Sequence, residues 1–227
     1  MTGRGVRVAI VDSGVHASHP HVGGIAGGIA FDENGREDAD YVDRLGHGTA
    51  VTAAIKEKAP DAELYAVKVF DRTLSTHITN LINAIEWAAR AGMHVVNLSL
   101  GTPRPEHEGV LRDAVDRAAA GGLAIVAARD DRGVRWWPGS LSGVVPVQLD
   151  WTCPRTEYRV AKSDGVTVFR ASGFPREIPG VPPERNLNGI SFAVANMTGF
   201  VACIRQRLGR AAPDAMVCAL SHAATEM

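Results

Sequence analysis

Asp12, His47 and Ser191 are three residues whose types suit acyl transfer, although they stand far apart along the chain. A serine hydroxyl is a poor nucleophile until a base takes its proton. Imidazole does this near neutral pH, and a carboxylate fixes its tautomer and steadies the imidazolium. Each residue lies beside glycine: Asp12-Ser13-Gly14, Gly46-His47-Gly48-Thr49, and Asn188-Gly189-Ile190-Ser191-Phe192-Ala193. Singly they say little, since an Asp after a strand is common and a Ser before an apolar helix is usually a simple cap. In the order Asp, His, Ser, with those glycines around them, they point to covalent hydrolysis on Ser191.

Such residues must be brought together by the elements around them. Val6–Val11 is a continuous apolar-rich run, and Leu64–Phe70, Val95–Leu100 and Leu123–Ala128 are similar short runs. Runs of this kind suit strands buried on both faces of a parallel sheet. Between them, Ile78, Leu81, Ile82, Ile85 and Ala88 recur at helical spacing before Gly92. Val110, Leu111, Ala114, Val115 and Ala118 do the same before Gly121-Gly122. Glycine just past a helix accepts the left-handed conformation of a C-terminal cap. A helical segment runs from His47 to Ile55, and a long helix is expected from Ser191 to Leu208. Between Asp130 and Pro183 the pattern weakens, with short strand-like pieces at Gly143–Leu149 and Val166–Phe169. Strand-helix-strand repetition predicts right-handed βαβ units in a three-layer α/β/α fold with a mainly parallel central sheet. Residues 1–227 read as one domain. In such sheets ligands gather at the carboxyl ends of the strands, where Asp12 follows the first strand.

Composition narrows the field. The formal net charge is −1, which leaves no electrostatic footprint for nucleic acid or anionic lipid. No stretch reaches the ~18 apolar residues of a membrane helix. Three scattered cysteines, Cys153, Cys203 and Cys218, fit neither a disulfide framework nor a metal site. The first strand ends in Asp-Ser-Gly, without the glycine loops that cradle nucleotide phosphates. If Met1 is the native start, a cytoplasmic protein is expected; a trimmed signal and pro-segment would make it secreted.

The segments VAIVDSGV, LGHGTAVTAAI and NGISFAVA resemble the three active-site signatures of the subtilisin-like peptidases. The likeness continues through LYAVKVF, LINAIEWAARAGMHVVNLSLG, LRDAVDRAAAGGLAIVAA and WPGSLSGVVPV, and covers roughly residues 4–210. It implies a subtilisin-like fold and a serine endopeptidase that binds a peptide or protein substrate in extended form, without a cofactor. Asp12 would orient the imidazole, His47 act as base then acid, and Ser191 attack. Ser99, Leu100 and Gly101 match the family's substrate-pairing strand. Ala127, Ala128 and Arg129 match one wall of its primary pocket, and Asp131 falls near the pocket floor, where it would favour a basic side chain. A protein partner or an oligomer stays open.

Several positions depart from the family. Its oxyanion-hole Asn is Asp130 here, beside the N–H groups at Ser191. Losing such a donor costs about 2.7–4 kcal/mol. Two routes to a donor stay open: a protonated Asp130, or a guanidinium from Arg129, Arg132 or Arg135. The family's usual Pro and His after the nucleophile are Ala195 and Asn196. The calcium loop that many members insert after the catalytic His has no room between Ile55 and Pro60. Asp32, Glu33, Asp38, Asp40 and Asp43 read as a solvated acidic loop, and no metal site is expected. Trp136-Trp137 reads either as core or as a substrate surface. A compact member of this kind suits limited processing of a precursor. The alternative is a pseudoprotease that binds peptides without cutting.

Overall fold

The computed structural model describes residues 1–224. Its strands are β1 (Arg7–Asp12), β2 (Gly27–Phe31), β3 (Glu37–Asp38), β4 (Glu63–Lys68), β5 (Val95–Leu98) and β6 (Ala124–Ala128), followed by β7 (Asp130–Asp131), β8 (Val134–Arg135), β9 (Val144–Leu149), β10 (Arg159–Ser163) and β11 (Val166–Ala171). The helices are α1 (His47–Lys58), α2 (Ile78–Arg90), α3 (Glu108–Ala120), α4 (Ile190–Leu208) and α5 (Pro213–Ala223). One nine-stranded sheet has the order β10-β11-β9-β6-β5-β1-β4-β2-β3, and β7 pairs with β8 as a separate hairpin. All pairings inside the large sheet are parallel except at its edges, where β3 and β10 run antiparallel. The expected three-layer α/β fold with a mainly parallel sheet is the one observed.

The strand period of two divides the apolar residues between two layers. Val8 and Ile10 of β1 face one core, with Val51 and Ile55 of α1, Phe192 and Met197 of α4, and Met216 and Leu220 of α5. Ala9 and Val11 face the other, with Leu81 and Ile85 of α2 and Leu111 and Val115 of α3. Helices thus cover both faces, which is why the central strands are apolar throughout rather than alternating.

Some expectations need correction. Val110 is exposed on α3 rather than part of its buried stripe, because the helix starts at Glu108 and turns that position outward. β2 was not expected. Its Gly27-Gly28 start weakens the strand pattern, but a Cβ on Gly28 would press on the Ala66 carbonyl of β4, so the close pairing requires glycine. α5 lies beyond residue 210, where the family likeness ends; Pro213 opens it, and Met216 and Leu220, four apart, dock it. The acidic loop is not wholly solvated, because Asp43 is buried.

Candidate active site

Asp12 ends β1 at the carboxyl edge of the sheet and is fully buried. Its Oδ1 accepts the Nδ1–H of His47 at 2.7 Å and the N–H of Ser13 at 2.7 Å. Donation through Nδ1 leaves Nε2 as the free acceptor of the neutral ring. His47 is the first residue of α1, and the position of that helix end is therefore decisive.

Asp43 fixes it. One carboxylate oxygen accepts from the Ser13 hydroxyl and from the N–H groups of Leu45 and Gly46, each at 2.9 Å. The other accepts from Thr49, through its N–H at 2.8 Å and its hydroxyl at 2.6 Å. Ser13 in turn accepts the Gly48 N–H at 2.9 Å, tying α1 to the end of β1. Two glycines permit this contact. Gly14 has φ +96°, a left-handed conformation, and a Cβ on Gly48 would run into the Gly14 carbonyl.

Both acid–base groups carry the mark of this arrangement. Burial alone would lower the His47 pKa, but the hydrogen bond and charge of Asp12, with the charge of Asp43, raise it above the ordinary 6.5. Burial would raise the Asp43 carboxyl, yet the bonds from Thr49, Leu45 and Ser13 hold it below the ordinary range. The His47 ring also rests against Phe192, with centroids 5.6 Å apart.

Ser191 is the second residue of α4, entered through Gly189 at φ 138°. Its hydroxyl donates to the Ser99 carbonyl at 3.2 Å, and the Ser99 hydroxyl donates back to the Ser191 carbonyl at 3.2 Å. Behind them, Asn97 donates to the Ser99 hydroxyl at 2.8 Å and accepts from Thr198 of α4 at 2.9 Å. Ser191 and His47 line one cavity of about 320 Å³ with Ser99, Leu100, Gly101, Ala128, Asp131 and Trp136.

Besides the buried Asp12, three expected site residues do not line this cavity. Ala127 packs into the α2–α3 core. Arg129 sends its guanidinium to Asp164, at 2.9 Å, so it lines a different cleft. Asp130 accepts from the Gln148 side-chain amide at 2.8 Å and lies 3.8 Å from the Arg129 guanidinium. The cause is the β7–β8 hairpin, which starts at Asp130 and directs successive side chains to opposite sides, leaving Asp131 toward the cavity. The two tryptophans divide: Trp136 lines the cavity, and Trp137 is buried among α2–α3 residues. Sequence reasoning missed Asp43, Ser13, Asn97 and Thr198. The only signal for Asp43 was its position four residues before His47. Among the described residues no group of three His, Cys, Asp or Glu side chains is arranged to hold a metal ion.

Comparison with known proteins agrees with this arrangement. The family model described as "Subtilase family" matches residues 3–147. Subtilisin E of Bacillus subtilis is 34% identical over 223 residues, covering 89% of this chain and 56% of that protein. Subtilisin Savinase of Lederbergia lenta is 32% identical, covering 91% of this chain and 78% of that protein. An alkaline protease of Alkalihalobacillus alcalophilus is 32% identical over 91% of this chain and 56% of its own length. The chain thus spans little more than half the length of several relatives that it matches. In fold it resembles a cold adapted subtilisin-like serine proteinase of known structure, with a TM-score of 0.76, 21% identity, and coverage of 98% of this chain and 83% of that one. With a family match over most of its length and a third of its residues shared with subtilisins, the chain belongs to the subtilase family.

Proposed function

We propose that the chain is a serine endopeptidase that cuts extended peptides through an acyl-enzyme on Ser191. The observation that carries this reading is the 2.7 Å bond from His47 to a fully buried Asp12, with His47 and Ser191 lining one cavity. Ser191 turns from the Ser99 carbonyl to Nε2 of His47, gives up its proton as it attacks the scissile carbonyl, and the imidazolium then protonates the leaving amine. Water repeats the cycle to release the acid. N–H groups at the start of α4 stand beside Ser191 to receive the oxyanion. Residue 130 joins that role only by leaving Gln148.

Asp131 and Trp136 in the cavity support a substrate with a basic side chain before the scissile bond: the carboxylate meets the charge, and the ring meets the apolar stem. Limited cleavage of a peptide or protein precursor fits such selectivity. Peptides that differ only at that residue test this. Lys or Arg should be cut at least about 10-fold faster than Leu, and Asp131→Asn should narrow the gap.

A second reading, a pseudoprotease that binds peptides, is favoured by the Ser191 hydroxyl resting on Ser99 and by Asp130 in place of an amide donor. A fluorophosphonate probe separates the two. An adduct on the wild type but not on Ser191→Ala supports the peptidase. No adduct between about pH 4 and about pH 9 supports the binding protein. Asp130→Asn is a sharper probe of the oxyanion site. With the carboxylate held by Gln148, kcat/KM should change less than about threefold; a rise approaching the roughly 10² of a true donor would place residue 130 at the oxyanion.

A further inference from the structure

A second cavity, of about 480 Å³, lies at the opposite end of the sheet and is lined by Arg4, Arg7, His94, Arg205, Gln206 and Arg210. Arg7 opens β1 and His94 directly precedes β5, whereas Asp12 and Ser99 stand at the carboxyl ends of those strands. Five residue steps separate Arg7 from Asp12, about 16 Å along the strand. The cavity is therefore remote from the chemistry.

Three guanidiniums converge here. That of Arg7 lies over Gly92, where a Cβ would come within 2.9 Å of it, and donates to the Ala91 carbonyl at 3.4 Å. The Arg210 side chain crosses Gly122 with its stem, Cγ lying nearest. Arg205, only 3% exposed, donates to the carbonyls of Gly122 and Ala211. Arg4 has a partner in Asp61 at 3.1 Å, but among the described residues no carboxylate stands within 4.0 Å of Arg7, Arg205 or Arg210. His94 adds a neutral donor. Its Nδ1 accepts the Arg7 N–H at 2.9 Å, which leaves the ring proton on Nε2. Burial, and then the charges of Arg7, Arg205 and Arg210, lower its pKa against the opposing charge of Glu63.

Helix capping explains part of this. α2, α3 and α4 all end beside the cavity, and arginines favour helix C-termini. It accounts for the carbonyl partners of Arg205, which stands in the last turn of α4, but supplies no opposite charge. Among the described residues this buried guanidinium meets carbonyls and no carboxylate within 4.0 Å, and a buried charge without a counter-charge is costly. Two further arginines at its side raise that cost.

We propose that this cleft binds a phosphate group, with Arg7, Arg205 and Arg210 meeting its oxygens and His94 donating from Nε2. Guanidinium forks match a tetrahedral, multiply charged oxyanion through paired N–H donors. The phosphate comes either free or as an ester on a larger molecule. Calorimetric titration of the full chain carrying Ser191→Ala, at ionic strength fixed with chloride, uses inorganic phosphate and N-acetyl-O-phosphoserine amide as probes. Saturable binding of at least one probe is expected, weakened about 10-fold or more by Arg210→Gln and by Arg7→Gln. Arg185→Gln, on a distant turn, should leave it unchanged. Both Arg210 and Arg185 are exposed, so neither change threatens the fold. Tighter binding of the inorganic ion assigns the site to free phosphate, and tighter binding of the ester to a phosphorylated partner. Heats that fail to saturate with both probes, or Arg210→Gln binding as well as the parent, overturn the proposal.

Discussion

Asp12 takes two hydrogen bonds on one carboxylate oxygen and leaves the other, Oδ2, buried without a partner among the described residues. Its charge is therefore directed at the imidazole. With Asp43 adding to it, the His47 pKa stands above 6.5, and the sign of two pH effects follows. The proposed peptidase reaction needs the neutral ring, so kcat/KM should fall as pH drops through that raised value, with the acid limb lying above pH 6.5. Stability runs the other way. A group whose pKa rises on folding stabilises most below its unfolded value, and this contribution is lost as pH climbs through the folded one. Asp43→Asn removes one negative charge near the ring, so the acid limb should move to lower pH. A pH–rate profile that stays in place or moves upward would show that the Asp43 charge does not reach His47.

At the scale of elements, α1 acts as the bracket of the site. Its first turn lies against the end of β1 through Ser13, Asp43 and Thr49, and Gly48 is where the two backbones meet. Gly48→Ala should force the helix end outward and draw His47 off Asp12. Displacement of about 1 Å at a catalytic group costs on the order of 10² in rate, and such overpacking costs about 1–3 kcal/mol of stability. Steady-state kinetics and urea unfolding of Gly48→Ala check both. Parent-like activity would mean that the helix end tolerates the methyl group. The loop carrying Asp43 shows why the acidic stretch misled. Asp32, Asp38 and Asp40 accept solvent-exposed bonds from nearby N–H groups, whereas Asp43 turns inward. Apart from its place four residues before His47, nothing in their local sequence distinguishes it from them.

Across the whole molecule, α4 passes behind the sheet from the active-site edge to the arginine cavity and packs against α1, α5 and four strands. α5 closes this layer, and its attachment includes the Tyr158 hydroxyl donating to the Leu220 carbonyl at 2.7 Å. Burial pushes that phenol up to about 12, so the bond persists through neutral and mildly alkaline pH. Tyr158→Phe should cost about 1 kcal/mol, which lowers Tm by about 2–4 °C in a chain of this size. Because α5 carries none of the candidate site residues, kcat should not change. Calorimetry on the Ser191→Ala background measures the first without self-cleavage, and peptide hydrolysis by Tyr158→Phe alone measures the second. An unchanged Tm would mean that water replaces the hydroxyl at Leu220.

The candidate residues Asp12, His47 and Ser191 stood out because their neighbours are glycines and apolar runs whose backbone demands are local. The central strands and main helices were legible for the same reason: periods of two and 3.6 are properties of short segments. The direction of the side chains after β6 was not. Whether Asp130 or Asp131 faces the cavity depends on the register of a two-residue hairpin, and one step of register exchanges the faces. The burial of Asp43, the Asn97–Ser99–Ser191 linkage and the convergence of Arg7, Arg205 and Arg210 join residues distant in sequence. No local pattern encodes them, so only the packed chain decides which polar groups meet.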